Sequence, residues 1–247
     1  MTPPLFLVDA LPSGPHAVLD GPEGRHAATV KRLRAGEAVL LGDGRGGLVH
    51  AVVDATGRDV VELTVTGRSA VAAASPRVVV AQALVKGDRG ELAVELATEA
   101  GVDEIVPWTA ARCVVRWADG QRGDKGLARW RSTARESAKQ ARRAWVPVVH
   151  EPASTRTLGE RVAASACALV LHESATVMLA DVPLPTEGDV LVVVGPEGGV
   201  TDEELDLLTA AGARAVRLGP EVLRASTAAA VALGALGVLT PRWTPKR

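Results

Sequence analysis

One stretch, residues 191–205, restricts the fold more than any other. It reads Leu-Val-Val-Val-Gly-Pro-Glu-Gly-Gly-Val-Thr-Asp-Glu-Glu-Leu. Its first four residues are an unbroken apolar run, as expected of a strand buried on both faces. A loop with three glycines follows: Gly195, Pro196, Glu197, Gly198 and Gly199. Thr201 and Glu204 then have the S/T-x-x-E spacing of a capping box, which predicts a helix starting near Asp202. Strand, glycine loop and helix in this order place a ligand at the carboxyl edge of a parallel sheet. The helix start argues against a phosphate there, because Asp202, Glu203 and Glu204 already occupy the positive end of the helix dipole. No Lys-Ser or Lys-Thr pair follows the glycines, and the spacing is not G-x-G-x-x-G. What remains suits a ligand read by its base and ribose, through backbone groups beside the carboxylate of Glu197. A tight turn that uses glycine only for positive φ is the plainer alternative.

The surrounding chain gives this loop a setting. Residues 1–70 read as β: short apolar or alternating runs at 37–41, 48–53 and 59–65 are separated by strong turn signals at 42–47 and 54–58. Strands at such even spacing predict a small barrel. Residues 69–75, Ser-Ala-Val-Ala-Ala-Ala-Ser before Pro76, read as a linker, so the expected domains are 1–70 and 76–247. Beyond it the rhythm becomes βαβ. A strand is expected at 78–85, then a helix at 90–100 with Leu92, Leu96 and Ala100 on one face and Gly101 as its left-handed cap. Further strands are expected at 102–106, 168–171, 191–194 and 215–218, and the alternation predicts a mostly parallel α/β sheet.

Charge separates two segments from a chain whose net charge is only −1. Residues 25–34 hold Arg25, Lys31, Arg32 and Arg34 with His26 and no acid, which fits either a solvated helix face or nucleic-acid contact. Residues 112–143 hold ten Lys or Arg against Asp119, Asp124 and Glu136. Within them Arg131, Arg135, Lys139 and Arg143 recur every fourth residue, a spacing that shares one helix face and costs a few tenths of a kcal/mol per like-charged pair. A phosphate backbone along that face would offset the repulsion. With five Trp, one Phe and no Tyr, a base-stacking platform is poorly supported. The two cysteines and five histidines show no metal-ligand spacing, so no metal is expected and a reducing compartment is the default. The start of the chain lacks a signal-peptide pattern, and 225–239 is too short for a membrane span, so a soluble, cytoplasmic protein is expected.

A second glycine loop, Gly219-Pro-Glu-Val-Leu-Arg224, leads into an Ala-rich final helix. Small residues at 228–230, 232, 234 and 235 permit very close helix packing, within the fold or across a dimer. Arg224 stands where loop and helix meet, positioned either as a surface ion-pair partner or as a fixed cation beside the ligand.

Taken jointly, several segments resemble the RsmE family of 16S ribosomal RNA uracil-N3 methyltransferases in the SPOUT, or α/β-knot, superfamily. They are GPEGG at 195–199, Leu218-Gly219, Leu223-Arg224 and Thr227-Ala228. His26, Val30 and Arg32, the Gly42-Asp43-Gly44 hairpin, Lys86-Gly87-Asp88-Arg89, and the run from Ala97 to Val102 extend the likeness. Arg112, Glu136, Gln140, Arg143 and Pro147 carry it through the basic region. The resemblance implies an N-terminal PUA-like β-barrel for RNA. It also implies a C-terminal SPOUT α/β domain, knotted as a trefoil, with S-adenosylmethionine as methyl donor. A homodimer acting on 16S rRNA or the assembled small subunit is implied as well. By similarity the donor pocket uses Leu171, His172, Glu173, Gly195, Pro196, Glu197, Gly198, Gly199, Leu218, Gly219 and Leu223. Arg224 and Glu197 are the expected catalytic residues. The expected RNA contacts are Arg25, Lys31, Arg32, Arg34, Lys86, Arg112, Arg131, Arg135, Lys139, Gln140 and Arg143. One departure stands out: where the family commonly reads Leu-Arg-Thr-Glu-Thr-Ala, this chain has Leu223-Arg224-Ala225-Ser226-Thr227-Ala228, so a carboxylate is missing. A knotted enzyme methylating a ribose 2′-oxygen and a non-catalytic RNA-binding relative are the rival readings, with a nicotinamide enzyme disfavoured by the absent fingerprint.

Overall fold

Glycine turns set the first strands. A computed structural model describes residues 3–117 and 121–244, with 121 and 122 described by backbone alone; Asp119, counted above, lies outside them. The chain divides into two units, Met1–Ala73 with Ala138–Val146, and Ala74–Ser137 with Pro147–Arg247.

The first unit contains β1 (Leu5–Leu7), β2 (His16–Leu19), a short helix α1 (Gly21–Arg25), β3 (Ala38–Gly42), β4 (Gly47–Thr56) and β5 (Val61–Ala70). Its sheet has the order β1-β3-β4-β5-β2, with β1 parallel to β3 and the other pairs antiparallel. Two register shifts, at His50/Ala51 and Val53/Ala55, curl the β4–β5 ribbon. The curled sheet encloses Phe6, Leu19, Val39, Leu41, Val49, Val53 and Leu63. Ser69 and Ala70, expected in the linker, are the last residues of β5 and pair with Leu48 and Gly47. Trp145 packs on Gly46, where a Cβ would come within 2.7 Å of its ring, and donates to the Val71 carbonyl at 2.8 Å.

The second unit begins with β6 (Arg77–Ala83), α2 (Arg89–Glu99), β7 (Glu104–Thr109) and α3 (Gln121–Gln140), whose last turn belongs to the first unit. It continues through β8 (Val148–Val149), β9 (Ala153–Ser154), α4 (Thr155–Ala164), β10 (Cys167–Leu171), β11 (Asp189–Val194), α5 (Asp202–Ala210), β12 (Arg214–Val216) and α6 (Ala225–Leu239). The strands form a parallel sheet in the order β12-β10-β11-β6-β7-β8, with β9 also on β7. β6 and β11 are its central pair, and Val190, Leu191, Val192, Val193 and Val194 are all buried, as the apolar run predicts. Chain order runs outward from β6 through β7 on one side and resumes beyond β11 on the other, so the order of the strands, all parallel, reverses at the middle of the sheet.

Two expectations are corrected. The buried face of α2 is Gly90, Ala93, Val94, Ala97 and Thr98, whereas Leu92 is 40% exposed. α2 packs against the Ala-rich α6, and close helix approach selects the small-residue face over the leucine face. The basic register of α3 is also broken. The chain leaves the helix after Gln140, with Arg142 at φ 54°, so Arg143 is off the helix and its N–H returns to the Ala138 carbonyl at 2.8 Å. Among the described residues, no helix is long and apolar enough to cross a membrane.

Candidate active site

Four connections at the carboxyl ends of β6, β10, β11 and β12, together with the segment after β7, enclose a cavity of about 570 Å³ in the second unit. Its base is apolar, formed by Val194, Val216 and Ala228. Its walls are the two glycine loops. The first loop follows β11 as the sequence predicts. Gly199 N–H returns to the Pro196 carbonyl at 2.9 Å in a tight turn, and Gly199 itself has φ +76°, a region that a side chain disfavours. Thr201 and Glu204 make both bonds of the capping box, so α5 starts at Asp202. The Glu203 carboxylate is held below the usual range, chiefly by hydrogen bonding to backbone at the helix start and then by the Thr201 hydroxyl.

Glu204 does more than cap. It is 6% exposed, and its Oε1 accepts from Ala111 N–H and from the Thr155 hydroxyl, each at 2.8 Å, while Oε2 accepts from Thr201 N–H at 3.2 Å. The start of α5 is therefore tied to the segment after β7 and to the start of α4. After β10, His172 N–H donates to the Val216 carbonyl at 3.0 Å and its Nδ1 accepts from Ser174 N–H at 3.2 Å, which fixes that turn against β12. The second glycine loop ends at Arg224, the N-cap of α6, whose carbonyl accepts from Thr227 and Ala228 N–H while its side chain stays exposed.

All eleven pocket residues expected from the sequence line this cavity: Leu171, His172, Glu173, Gly195, Pro196, Glu197, Gly198, Gly199, Leu218, Gly219 and Leu223. Arg224 lines it too, as does Ser226, which is buried on the first turn of α6. Glu197 lies 3.6 Å from Arg89, so its charge is partly neutralised. Sequence reasoning missed Arg89, Arg217 and Glu221 as pocket residues. Their position just past the carboxyl ends of β6 and β12 was the available signal.

The residues expected to touch RNA are divided between the two units. Arg25, Lys31, Arg32 and Arg34 are exposed on the first unit, around a π-helical turn at His26–Val30, and Arg32 has a left-handed φ of 54°. Lys86 and Gln140 are exposed. Lys139 is not available to a phosphate: its side chain is 9% exposed and its Nζ lies 2.7 Å from Glu23. Arg131 donates to the Val149 carbonyl at 3.2 Å and to Glu151 at 2.9 Å, and Arg135 and Arg143 also engage neighbours. The basic face is therefore not a row of unmatched cations. Arg112 turns inward, its Nη1 2.9 Å from the Gly198 carbonyl in the pocket wall.

Comparison with known proteins follows the same division. A model described as an RNA methyltransferase domain matches residues 73–237, and one described as an RNA methyltransferase PUA domain matches residues 19–66. The chain is 54% identical to the ribosomal RNA small subunit methyltransferase E of Mycobacterium bovis, over 97% of this chain and 93% of that one. Identity to the Bacillus subtilis protein of the same name is 31%, over 90% of each. Among solved structures, the Neisseria gonorrhoeae ribosomal RNA small subunit methyltransferase E bound to S-adenosyl methionine superposes with a TM-score of 0.83 at 28% identity, covering 97% of this chain and 98% of that chain. A candidate methyltransferase of Legionella pneumophila, solved with bound SAM, gives a TM-score of 0.86 at 28% identity over 97% and 99%.

Proposed function

Because the chain belongs to the ribosomal RNA small subunit methyltransferase E family, we propose that it methylates N3 of a uridine in 16S rRNA with S-adenosylmethionine as donor. The observation that carries this reading is the convergence of both glycine loops and Arg224 on one cavity at the carboxyl edge of the sheet. The cavity suits the donor, an adenosine without phosphate. It is apolar below, rimmed by backbone groups of Gly195, Gly198, Leu218 and Gly219, and supplied with carboxylates for ribose and amine groups. Bound there, S-adenosylmethionine supplies an electrophilic methyl group.

The residues of this chain do the remaining work. Uracil N3 carries a weakly acidic proton that must leave. Arg224 stabilises the negative charge that develops on the adjoining carbonyl oxygens, an electrostatic role that costs no reorganisation once the side chain is placed. Glu197, 3.6 Å from Arg89, anchors the first loop. With Ser226 replacing the family carboxylate, the proton passes to water at the exposed mouth beside Arg224. Four exposed cations clustered in sequence in the first unit, Arg25, Lys31, Arg32 and Arg34, hold the RNA backbone, so binding should weaken steeply with salt.

A second copy of the chain covers the outer side of α6. Val231 and Val238, seven residues apart, share a face, Val238 is 75% exposed, and Leu239 and Trp243 extend the apolar surface. The test of the whole reading is incubation with labelled S-adenosylmethionine and either small subunits or naked 16S rRNA, followed by mass spectrometry of the nucleosides. Label in 3-methyluridine is expected, whereas label in a 2′-O-methylated nucleoside would replace the N3 assignment. In Arg224→Ala, turnover should fall by about 10²–10³, the usual effect of losing one preorganised stabilising donor, with donor affinity near normal.

A further inference from the structure

The segment after β7 behaves as a strap over the first glycine loop. Ala110 is fully buried and Ala111 is pinned by its N–H to Glu204 at 2.8 Å. That places Arg112 against the loop at two points. Its Nη1 donates to the Gly198 carbonyl at 2.9 Å, and its Cβ sits where a Cβ on Gly198 would come within 3.1 Å. Cys113, the next residue, is buried, and Arg116 donates back to the Ala111 carbonyl at 3.4 Å. From the opposite side, Arg89 at the start of α2 lies 3.6 Å from Glu197. Two cations, from the connections that follow β6 and β7, thus grip adjacent residues of one loop.

We propose that Arg112 is a positioning residue that fixes the methyl-donor loop and sets donor affinity, with Arg89 as its weaker partner, and that it is not an RNA contact. The proposal rests on the reading of the cavity as the S-adenosylmethionine site. A loop with three glycines carries high conformational freedom, and ordering it on binding would be charged against affinity. A loop already held in place avoids that cost. The contact needs a donor aimed at a carbonyl oxygen from a stem packed on Gly198. A planar guanidinium meets that geometry, and an ammonium, a rotating point charge, meets it less well.

The experiment measures S-adenosylmethionine binding by calorimetry and 16S rRNA binding as a function of salt, in the wild type, Arg112→Ala, Arg112→Lys and Arg89→Ala. Donor Kd should rise by at least about tenfold in Arg112→Ala, the size of one hydrogen bond to a charged group. It should rise less in Arg112→Lys and about twofold in Arg89→Ala, as for an exposed ion pair. RNA affinity and its salt slope should stay as in the wild type, which also reports that the variants are folded, and turnover at saturating donor should change little. The proposal is overturned by unchanged donor affinity in Arg112→Ala with weaker RNA binding and a salt slope reduced by about one, the signature of a lost phosphate contact. If Arg112→Ala does not fold, Arg112→Lys decides on the same two readouts, because a phosphate contact would tolerate lysine. A wild type that binds no S-adenosylmethionine overturns the reading of the cavity itself, a result separable from failure of the strap alone.

Discussion

Removing the Glu204 side chain should unfasten three segments at once. The carboxylate is buried and accepts from Ala111 N–H, Thr155 Oγ1 and Thr201 N–H. In Glu204→Ala two backbone donors and a hydroxyl lose their acceptor, at about 1–3 kcal/mol for each that stays buried. Water can reach the Thr201 N–H at the open helix start, and taking a charge out of the interior returns part of the loss. A net destabilisation of about 3 kcal/mol is expected, above the 0.5–2 kcal/mol of an ordinary cap. Glu204→Gln keeps one acceptor oxygen but turns an amide N–H toward a donor, so about half that loss is expected. Urea unfolding followed by tryptophan fluorescence is a direct assay, because Trp108 is fully buried and its Nε1 donates to Thr155 Oγ1 at 3.2 Å. With a slope of about 2–3 kcal/mol per molar, the Glu204→Ala midpoint should fall by about 1–1.5 M at unchanged slope. A fall below about 0.3 M, or equal effects of Ala and Gln, would refute the claim that this one carboxylate ties α4, α5 and the strap together.

Arg242→Ala should destabilise the second unit by about 3–5 kcal/mol in the same urea assay. Its guanidinium is 6% exposed and bonds Asp103 and the Pro76 carbonyl, each at 2.6 Å, leaving the half-buried Asp103 without this cation when removed. Glu203 has a lowered folded pKa, so its contribution is present above the unfolded value of about 4.3 and is lost as pH falls through the folded one. Glu203→Gln should therefore differ from the wild type in unfolding midpoint at pH 6 and converge with it by about pH 3, and a difference that persists at low pH contradicts the assignment. Val238→Asp, placed on the exposed apolar face of α6, should shift sedimentation from the proposed dimer to monomer with the fold retained by circular dichroism.

Local patterns were legible in the sequence and long-range pairings were not. The capping box at Thr201 and Glu204, the central strand at Asp189–Val194 and both glycine loops could be read because each is written within about fifteen consecutive residues. The partner of Lys139 is Glu23, 116 residues away, so a basic helix face looked unmatched when part of it was already neutralised. The bond from Arg112 to the Gly198 carbonyl was hidden for the same reason, because the two residues lie 86 positions apart. In α2 the error was of another kind. Hydrophobicity points to Leu92, but the distance of approach to α6 is set by the smallest side chains, so Gly90, Ala93 and Ala97 face inward.

These corrections bear on where the chemistry can sit. Where the Leu-Arg-Thr-Glu-Thr-Ala pattern has a carboxylate two residues after the arginine, this chain has Ser226, which is 4% exposed. An unpaired carboxylate so deeply buried would need a partner, and among the described side chains the structure assigns Ser226 none. The carboxylates that do reach the cavity are Glu173, Glu197, Asp202 and Glu221, and of these Glu197 is held by Arg89. The strap and the first loop thus take up Arg89, Arg112, Glu197 and Glu204 in holding shape. Arg217 and Arg224 are the cavity-lining arginines outside that framework, and Arg224, at the N-cap of α6 and exposed at the mouth, is the one proposed to face the substrate. On the proposed reading the labour divides accordingly: the loop after β11 sets how tightly the donor is held, and the loop after β12 sets how fast the methyl group moves.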